Sequence, residues 1–399
     1  MVADHTENLF RRPRFDVSHR PFIIIWEVTR ACDLACVHCR AEAIRWRNPS
    51  ELTTDEGKQL LDQAAAIGPP APLFVLTGGD PMKRPDLREL IEYGAARGLP
   101  VALSPSATPL LTAGTLEELR GCGLKALSLS LDGDSVRMHD SFRGVDGVFE
   151  RTMELWAAAR ACGLKVQVNT TVVRQNVAAL PAIARMALER NVMTWVLFFM
   201  VPTGRASALS PLDADECEDV MNFLYDVAGT VRVKTTEGHH FRRVVIQRAI
   251  LERRGLSADA VLRLGPLYQR LSQALEPWPR KATIHVRRSP MDINAGRGFV
   301  FISHIGEVHP SGFLPLAAGN VRKNPLLEIY RQSPLFVRMR DNRALGGRCG
   351  PCEFTTVCGG SRSRALAIAG DPLAEDPLCA YQPGSFPYPE DVARVLEQR

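Results

Sequence analysis

No stretch of this chain stays apolar for long. Trp195 to Val201 is among the longest such runs, far short of the roughly 20 residues a membrane-spanning helix needs. The segment from Met1 to Arg20 is polar and charged and lacks the apolar centre of a secretory signal. A cytoplasmic location with no membrane partner is therefore expected. Dense basic tracts are missing too. The net charge of +5 is spread along the chain, which argues against a nucleic-acid partner. Cysteine is sparse, at ten in 399 residues. Without an export signal, those ten argue for metal ligation rather than disulfides. Hydrophobic residues at 45% and charged residues at 23% are ordinary for a globular protein. The length suits two or three domains with a sizeable core.

Three of the cysteines fall together. Cys32, Cys36 and Cys39 follow the apolar run Phe22 to Trp26, which reads as a buried strand. Three thiolates are thus presented on one loop at a strand's C-terminal end. They satisfy three irons of a [4Fe–4S] cubane and leave the fourth open to a small molecule, where an electron-transfer site would use four cysteines. Zinc is the alternative, but His38 could complete its set only by bending back beside Cys39. The Cys-x3-Cys-x2-Cys spacing after a strand resembles the radical S-adenosylmethionine (SAM) superfamily. That resemblance implies SAM chelated at the open iron and cleaved by one electron to a 5′-deoxyadenosyl radical that abstracts a substrate hydrogen.

The first half repeats a unit. Helical stretches end at Gly98, Gly123, Gly163 and Asn191, and strand-like runs follow each. Gly and Asn are the residues that tolerate a left-handed helix end. With Phe22–Trp26 and Leu73–Leu76 this gives six strands alternating with helices, an α/β fold with a parallel sheet. Six units suit the partial (β/α)6 TIM-like barrel of the radical SAM family, with chemistry on the loops after the strands. The expected organisation is an N-terminal tail (1–21), the barrel (22–235), a helical connection (236–297), a small cluster domain (298–385) and a C-terminal tail (386–399).

Candidate SAM contacts fall on those loops. Gly78-Gly79-Asp80 follows the second strand, where the family carries Gly-Gly-Glu toward the methionine amine. Ser128 to Gly133, then His139-Asp140 and Arg143-Gly144, resemble the branch of the family with SPASM-type C-terminal domains. By that resemblance Ser130 and Arg143 grip the methionine carboxylate, and a bidentate arginine suits that task. Asp132 and Asn169 are placed near the ribose or adenosyl group, Val201 to Arg205 near adenine, and His38 among the cofactor contacts. Lone Cys122, Cys162 and Cys217 read as small apolar residues. His5, His19 and His285 carry no site.

The last quarter holds Cys349, Cys352, Cys358 and Cys379, four thiolates that would close a cluster or a zinc ribbon. The region resembles the SPASM domain, which usually holds two auxiliary clusters. Ser311 and Arg362 stand where two of its cysteines are usual, so the resemblance implies one auxiliary [4Fe–4S] cluster. The run from Cys349 to Ala365, with Asp376 to Pro383, looks like that of the tetrapyrrole-modifying members, the alternative haem synthases and their nitrite-reductase haem relatives. Thr236 to Arg243 aligns with a segment of theirs through His240 and Arg243, while Glu237 and His239 depart from it. This favours oxidation of a tetrapyrrole propionate, with His240, Arg242 and Arg243 as substrate anchors and flavodoxin or ferredoxin as electron donor. The alternatives are a maturase for a ribosomally made peptide and a non-catalytic iron–sulfur scaffold.

Overall fold

The computed structural model describes residues 15–279 and 293–397. His5, His285 and most of the expected N-terminal tail lie outside those residues. Along the chain run β1 (Ile23–Thr29), α1 (Thr54–Ala65), β2 (Leu73–Gly78), α2 (Leu87–Ala96), β3 (Val101–Leu103), α3 (Ala113–Gly121) and β4 (Ala126–Ser130). There follow α4 (Val136–Arg143), α5 (Val148–Ala161), β5 (Lys165–Val172), α6 (Leu180–Glu189), β6 (Thr194–Phe199), α7 (Ala214–Ala228) and β7 (Val233–Thr236). The connection is helical, with α8 (Phe241–Arg253), α9 (Ala258–Leu262) and α10 (Pro266–Leu275). The last part carries β8 (Phe299–Ile302), β9 (Glu307–His309), β10 (Gly319–Asn320), α11 (Leu326–Gln332), α12 (Pro334–Arg340), α13 (Arg362–Ala369) and α14 (Pro389–Glu397).

One open sheet runs β10-β9-β8-β1-β2-β3-β4-β5-β6-β7. Pairs from β1 through β7 are parallel, as a partial barrel requires. The helix ends behave as their residues demand. Gly98, Gly123, Gly163 and Asn191 have φ of 80°, 101°, 81° and 48°, where only glycine and asparagine sit cheaply. Alternation along the strands then sorts the faces. Trp26, Leu76, Leu103, Leu129, Val168 and Trp195 are buried in the main core under the helices. Glu27, Ser130, Asn169, Val196 and Lys234 fall on the opposite, inner face.

Two features go beyond the six-strand reading. Val233–Thr236, at the end of the expected barrel, forms a seventh parallel strand, β7, paired with β6. From the last quarter, β8 pairs parallel with β1, Ile25 opposite Phe301. It covers an edge that would otherwise present unpaired backbone groups. The cluster region therefore begins inside the barrel's own sheet rather than after it. Its end is also built differently from a tail. Val392 and Val395 of α14 join Ile246, Ile250, Phe354 and Val357 in a second core, and Asp391 pairs with Arg253 of α8 and with Arg254 just past its end, at 2.9 and 2.6 Å. No described helix is long and apolar enough to cross a membrane.

Candidate active site

The three-cysteine loop hangs between β1 and its neighbours by backbone bonds. Cys32 N donates to Ile44 O at 2.8 Å, and Ala35 N and Val37 N donate to Arg143 O and Phe142 O at 3.1 and 3.0 Å. From the loop after β6, Arg205 N donates to Cys39 O at 3.1 Å and Arg205 Nε to Cys36 O at 2.9 Å. All three cysteines are half-buried. Each sulfur accepts one N–H: Cys32 from Leu34 N at 3.4 Å, Cys39 from Ala43 N at 3.5 Å, Cys36 from Arg143 Nη1 at 3.7 Å. Donors aimed at sulfur favour the thiolate that ligates iron. The donor set therefore fits a cluster, although burial raises the free Cys32 thiol's pKa.

Gly78 and Gly79 face this loop. A Cβ on Gly79 would lie 2.5 Å from Ala31 O, and Gly79 N and Asp80 N donate to Thr29 O and Ala31 O at 2.8 and 2.7 Å. The paired glycines thus let two backbones touch, a closer cause than approach to a ligand. Asp80 is fully buried and accepts from Met82 N at 3.1 Å and Thr108 Oγ1 at 2.6 Å. Burial raises its pKa. Ser106, which no motif marks, donates to Gly79 O at 2.9 Å and lies 3.5 Å from Cys32 Sγ.

Asp132 and Arg143 meet in a buried ion pair. Burial alone would raise the Asp132 pKa, but Arg143, His38 and His139 outweigh it and lower it. Asp132 also accepts from Thr171 N at 2.7 Å. Burial takes His38 and His139 down to about 4. His38, 4.0 Å from Asp132, is thus a neutral neighbour at pH 7 rather than an ion-pair partner. Its ring lies 4.7 Å from that of Phe142. Arg143 therefore bridges Asp132 to the Cys36 sulfur. Ser130 and Asn169 stand opposite each other on β4 and β5, and Asn169 accepts from Gln167 at 2.8 Å. His38 Nδ1, Thr203 Oγ1 and Arg205 Nη2 are buried without a hydrogen-bond partner among the described residues. Three such atoms on the cysteine loop and the loop beside it suit a polar cofactor.

The other four cysteines converge. Cys349, Cys352, Cys358 and Cys379 line one cavity together with Arg243 and Tyr381, with an empty volume of ≈ 440 Å³, open solvent at its mouth included. Gly360 N points at Cys358 Sγ at 3.4 Å and Arg362 Nη2 at Cys349 Sγ at 3.7 Å. Burial pushes Cys352 up to about 11 and raises Cys358 and Cys379 as well. Among the described residues no three His, Cys, Asp or Glu side chains gather as for a single metal ion. A cubane asks something else, one thiolate on each iron.

The expected substrate anchors are committed inward. Arg242 donates to Val357 O at 2.8 Å and Ile293 O at 2.7 Å. Arg243 is buried, paired with Glu218, bonded to Gln247 at 2.8 Å, and lies 4.7 Å over Tyr381. His240 is fully buried, with Nδ1 3.9 Å from Asp376 and its pKa taken to about 4 by burial. Of the three, Arg243 borders the four-cysteine cavity, while Arg242 lines a neighbouring pocket that shares Cys358. Ser311, standing where the SPASM domain usually carries cysteine, donates to Glu237 at 3.1 Å. Ser361 and Ser363 also donate to Glu237. Cys217 is buried in the core, and Cys122 and Cys162 pack half-buried against it at helix ends.

The family model described as Radical SAM superfamily matches residues 26–187. The AdoMet-dependent heme synthase of Nitratidesulfovibrio vulgaris is 40% identical over 365 residues, 90% of this chain and 92% of that protein. The chain belongs to the radical SAM superfamily. As such it is an enzyme that works with a [4Fe–4S] cluster and SAM. A second radical SAM relative, the AdoMet-dependent heme synthase of Methanosarcina barkeri, is 36% identical over 92% of this chain and 99% of that one. Among solved structures, Streptococcus suis SuiB bound to S-adenosylmethionine matches with a TM-score of 0.66 at 16% identity. That match covers 91% of this chain and 78% of SuiB, a likeness of fold.

Proposed function

We propose that this radical SAM enzyme oxidises a propionate side chain of an iron tetrapyrrole to a vinyl group, with release of carbon dioxide. The observation that carries the reading is the end-to-end identity of 40% with an AdoMet-dependent heme synthase. The convergence of four C-terminal cysteines on one cavity adds to it. Cys32, Cys36 and Cys39 hold the SAM-binding cluster, and Cys349, Cys352, Cys358 and Cys379 hold an auxiliary [4Fe–4S] cluster in a SPASM-like domain. Ser130, Asp132, Arg143, Asn169, His38 and the Gly78-Gly79-Asp80 turn form the SAM pocket. Cluster and SAM together supply the one-electron chemistry that removes a hydrogen atom from an unactivated C–H bond.

The chain's own residues set the conditions for that chemistry. The Asp132–Arg143 pair fixes a guanidinium beside Cys36 Sγ, and the low dielectric around it strengthens its pull on any carboxylate placed there. His38 and His139, neutral through burial, add no competing charge. Conversion of propionate to vinyl gives up a hydrogen atom, carbon dioxide and one further electron. An acceptor for that electron is the role assigned to the four-cysteine site. Flavodoxin or ferredoxin serves as the external donor.

The test is to give the reduced, reconstituted enzyme SAM and a propionate-bearing iron tetrapyrrole without oxygen. Carbon dioxide and a vinyl-bearing pigment are expected. Cleavage of SAM with an unchanged pigment would move the assignment to a peptide or another small molecule.

A further inference from the structure

The inner face of the barrel carries a cation, Lys234, that no described residue neutralises. Lys234 lies on β7 opposite Val196, Val196 lies opposite Asn169, and Asn169 opposite Ser130. Parallel partners point to the same face of a sheet. Lys234 therefore shares a row with Ser130 and Asn169, two strands and roughly 10 Å from Asn169 at the usual interstrand spacing. Its neighbour Val233 points the other way, into the helix-covered core.

The buried arginines show how this protein satisfies a cation. Arg84, Arg143, Arg243, Arg248 and Arg364 each pair with a carboxylate, and Arg362 donates to the Pro372 and Ala374 carbonyls at 2.9 and 2.7 Å. Lys234 is half-buried and has no hydrogen-bond or ion-pair partner among the described residues. Its ammonium pKa is lowered by burial, and the one charge acting on it, Arg232, has the same sign. A charge kept out of water without a counter-ion costs free energy until an anion arrives.

The surroundings indicate what kind of anion. Phe198 sits two residues beyond Val196 on the same face of β6, and its ring lies 6.2 Å from that of Phe313. Both rings are half-buried. A pair of partly open phenyl rings beside a lone ammonium suits a flat apolar body with a pendant carboxylate. Arg242 and Arg243 are spent elsewhere, which leaves Lys234 open to such a group.

We infer that Lys234 anchors a carboxylate of the substrate, with Phe198 and Phe313 receiving its apolar face. The inference rests on the tetrapyrrole reading above and names the residue that would select the acid. The experiment titrates reconstituted protein with an iron tetrapyrrole bearing free propionates, and with its methyl ester, following the pigment's absorbance. Wild type is expected to bind the acid at least about tenfold more tightly than the ester, the scale of one charge-assisted hydrogen bond. Lys234→Gln should lose that preference while keeping wild-type iron content, and Lys234→Arg should keep most of it.

Unchanged affinity for the acid in Lys234→Gln would overturn the anchor while leaving the tetrapyrrole reading in place. So would a loss confined to SAM binding, which would make Lys234 a cofactor contact. If wild type binds neither pigment, the tetrapyrrole reading fails and the anchor fails with it.

Discussion

Glu27 lies buried on β1 between Arg40, at 2.8 Å, and His304, at 3.1 Å. Burial alone would raise its pKa, but Arg40 and the hydrogen bond from His304 outweigh it and hold the carboxyl at about 2. An acid depressed from an ordinary value of 4.5 contributes stability that is fully present above pH 4.5 and is lost as pH falls toward 2. Complete loss is worth roughly 3 kcal/mol at 1.36 kcal/mol per pH unit. Denaturant midpoints should therefore fall more steeply between pH 5 and 3 in wild type than in Glu27→Gln. Parallel profiles would mean that Glu27 contributes no such linkage. At this scale the sequence was uneven in what it disclosed. Cysteines announce themselves by spacing, and Arg143 by its motif. Ser106 has no motif, and a lone serine in a loop carries no signal. For Arg242 and Arg243, read in sequence as substrate anchors, the chain hides their partners, Val357 and Glu218, which are remote in it.

Helix ends were legible because a left-handed residue has few chemical solutions, and Gly98, Gly123 and Gly163 supply the usual one. The eighth parallel strand was not legible. Phe299–Ile302 pairs antiparallel with β9 as a local hairpin, and its further pairing with β1 across most of the chain leaves no trace in local pattern. Likewise α14 looks like a tail until its valines meet α8. The loop after β6 offers the element-scale test. Gly204 has φ of 55°, and a Cβ there would lie 2.6 Å from Cys39 O, so any side chain must push the cysteine loop. Gly204→Ala should lower anaerobically reconstituted iron from about eight toward four, the content of one remaining cubane. The four C-terminal cysteines lie outside the disturbed loop. Full iron content in that variant would show that the loop yields without losing its ligands.

Taken whole, the molecule joins two cysteine sites through one sheet. The barrel presents three cysteines after β1, and β8 beside β1 leads into the region that carries the other four. The partial barrel and both cysteine sets could be read from the chain. The manner of joining, and the inner-face lysine opposite Val196, needed the register of the sheet. Substrate chemistry is the central claim, and isotope transfer tests it most directly. A tetrapyrrole deuterated along its propionate chain would be turned over by the reduced enzyme with SAM, and the 5′-deoxyadenosine examined by mass spectrometry. Deuterium carried into 5′-deoxyadenosine, with carbon dioxide released mole for mole, is the predicted result. Unlabelled 5′-deoxyadenosine and an intact propionate would contradict the account.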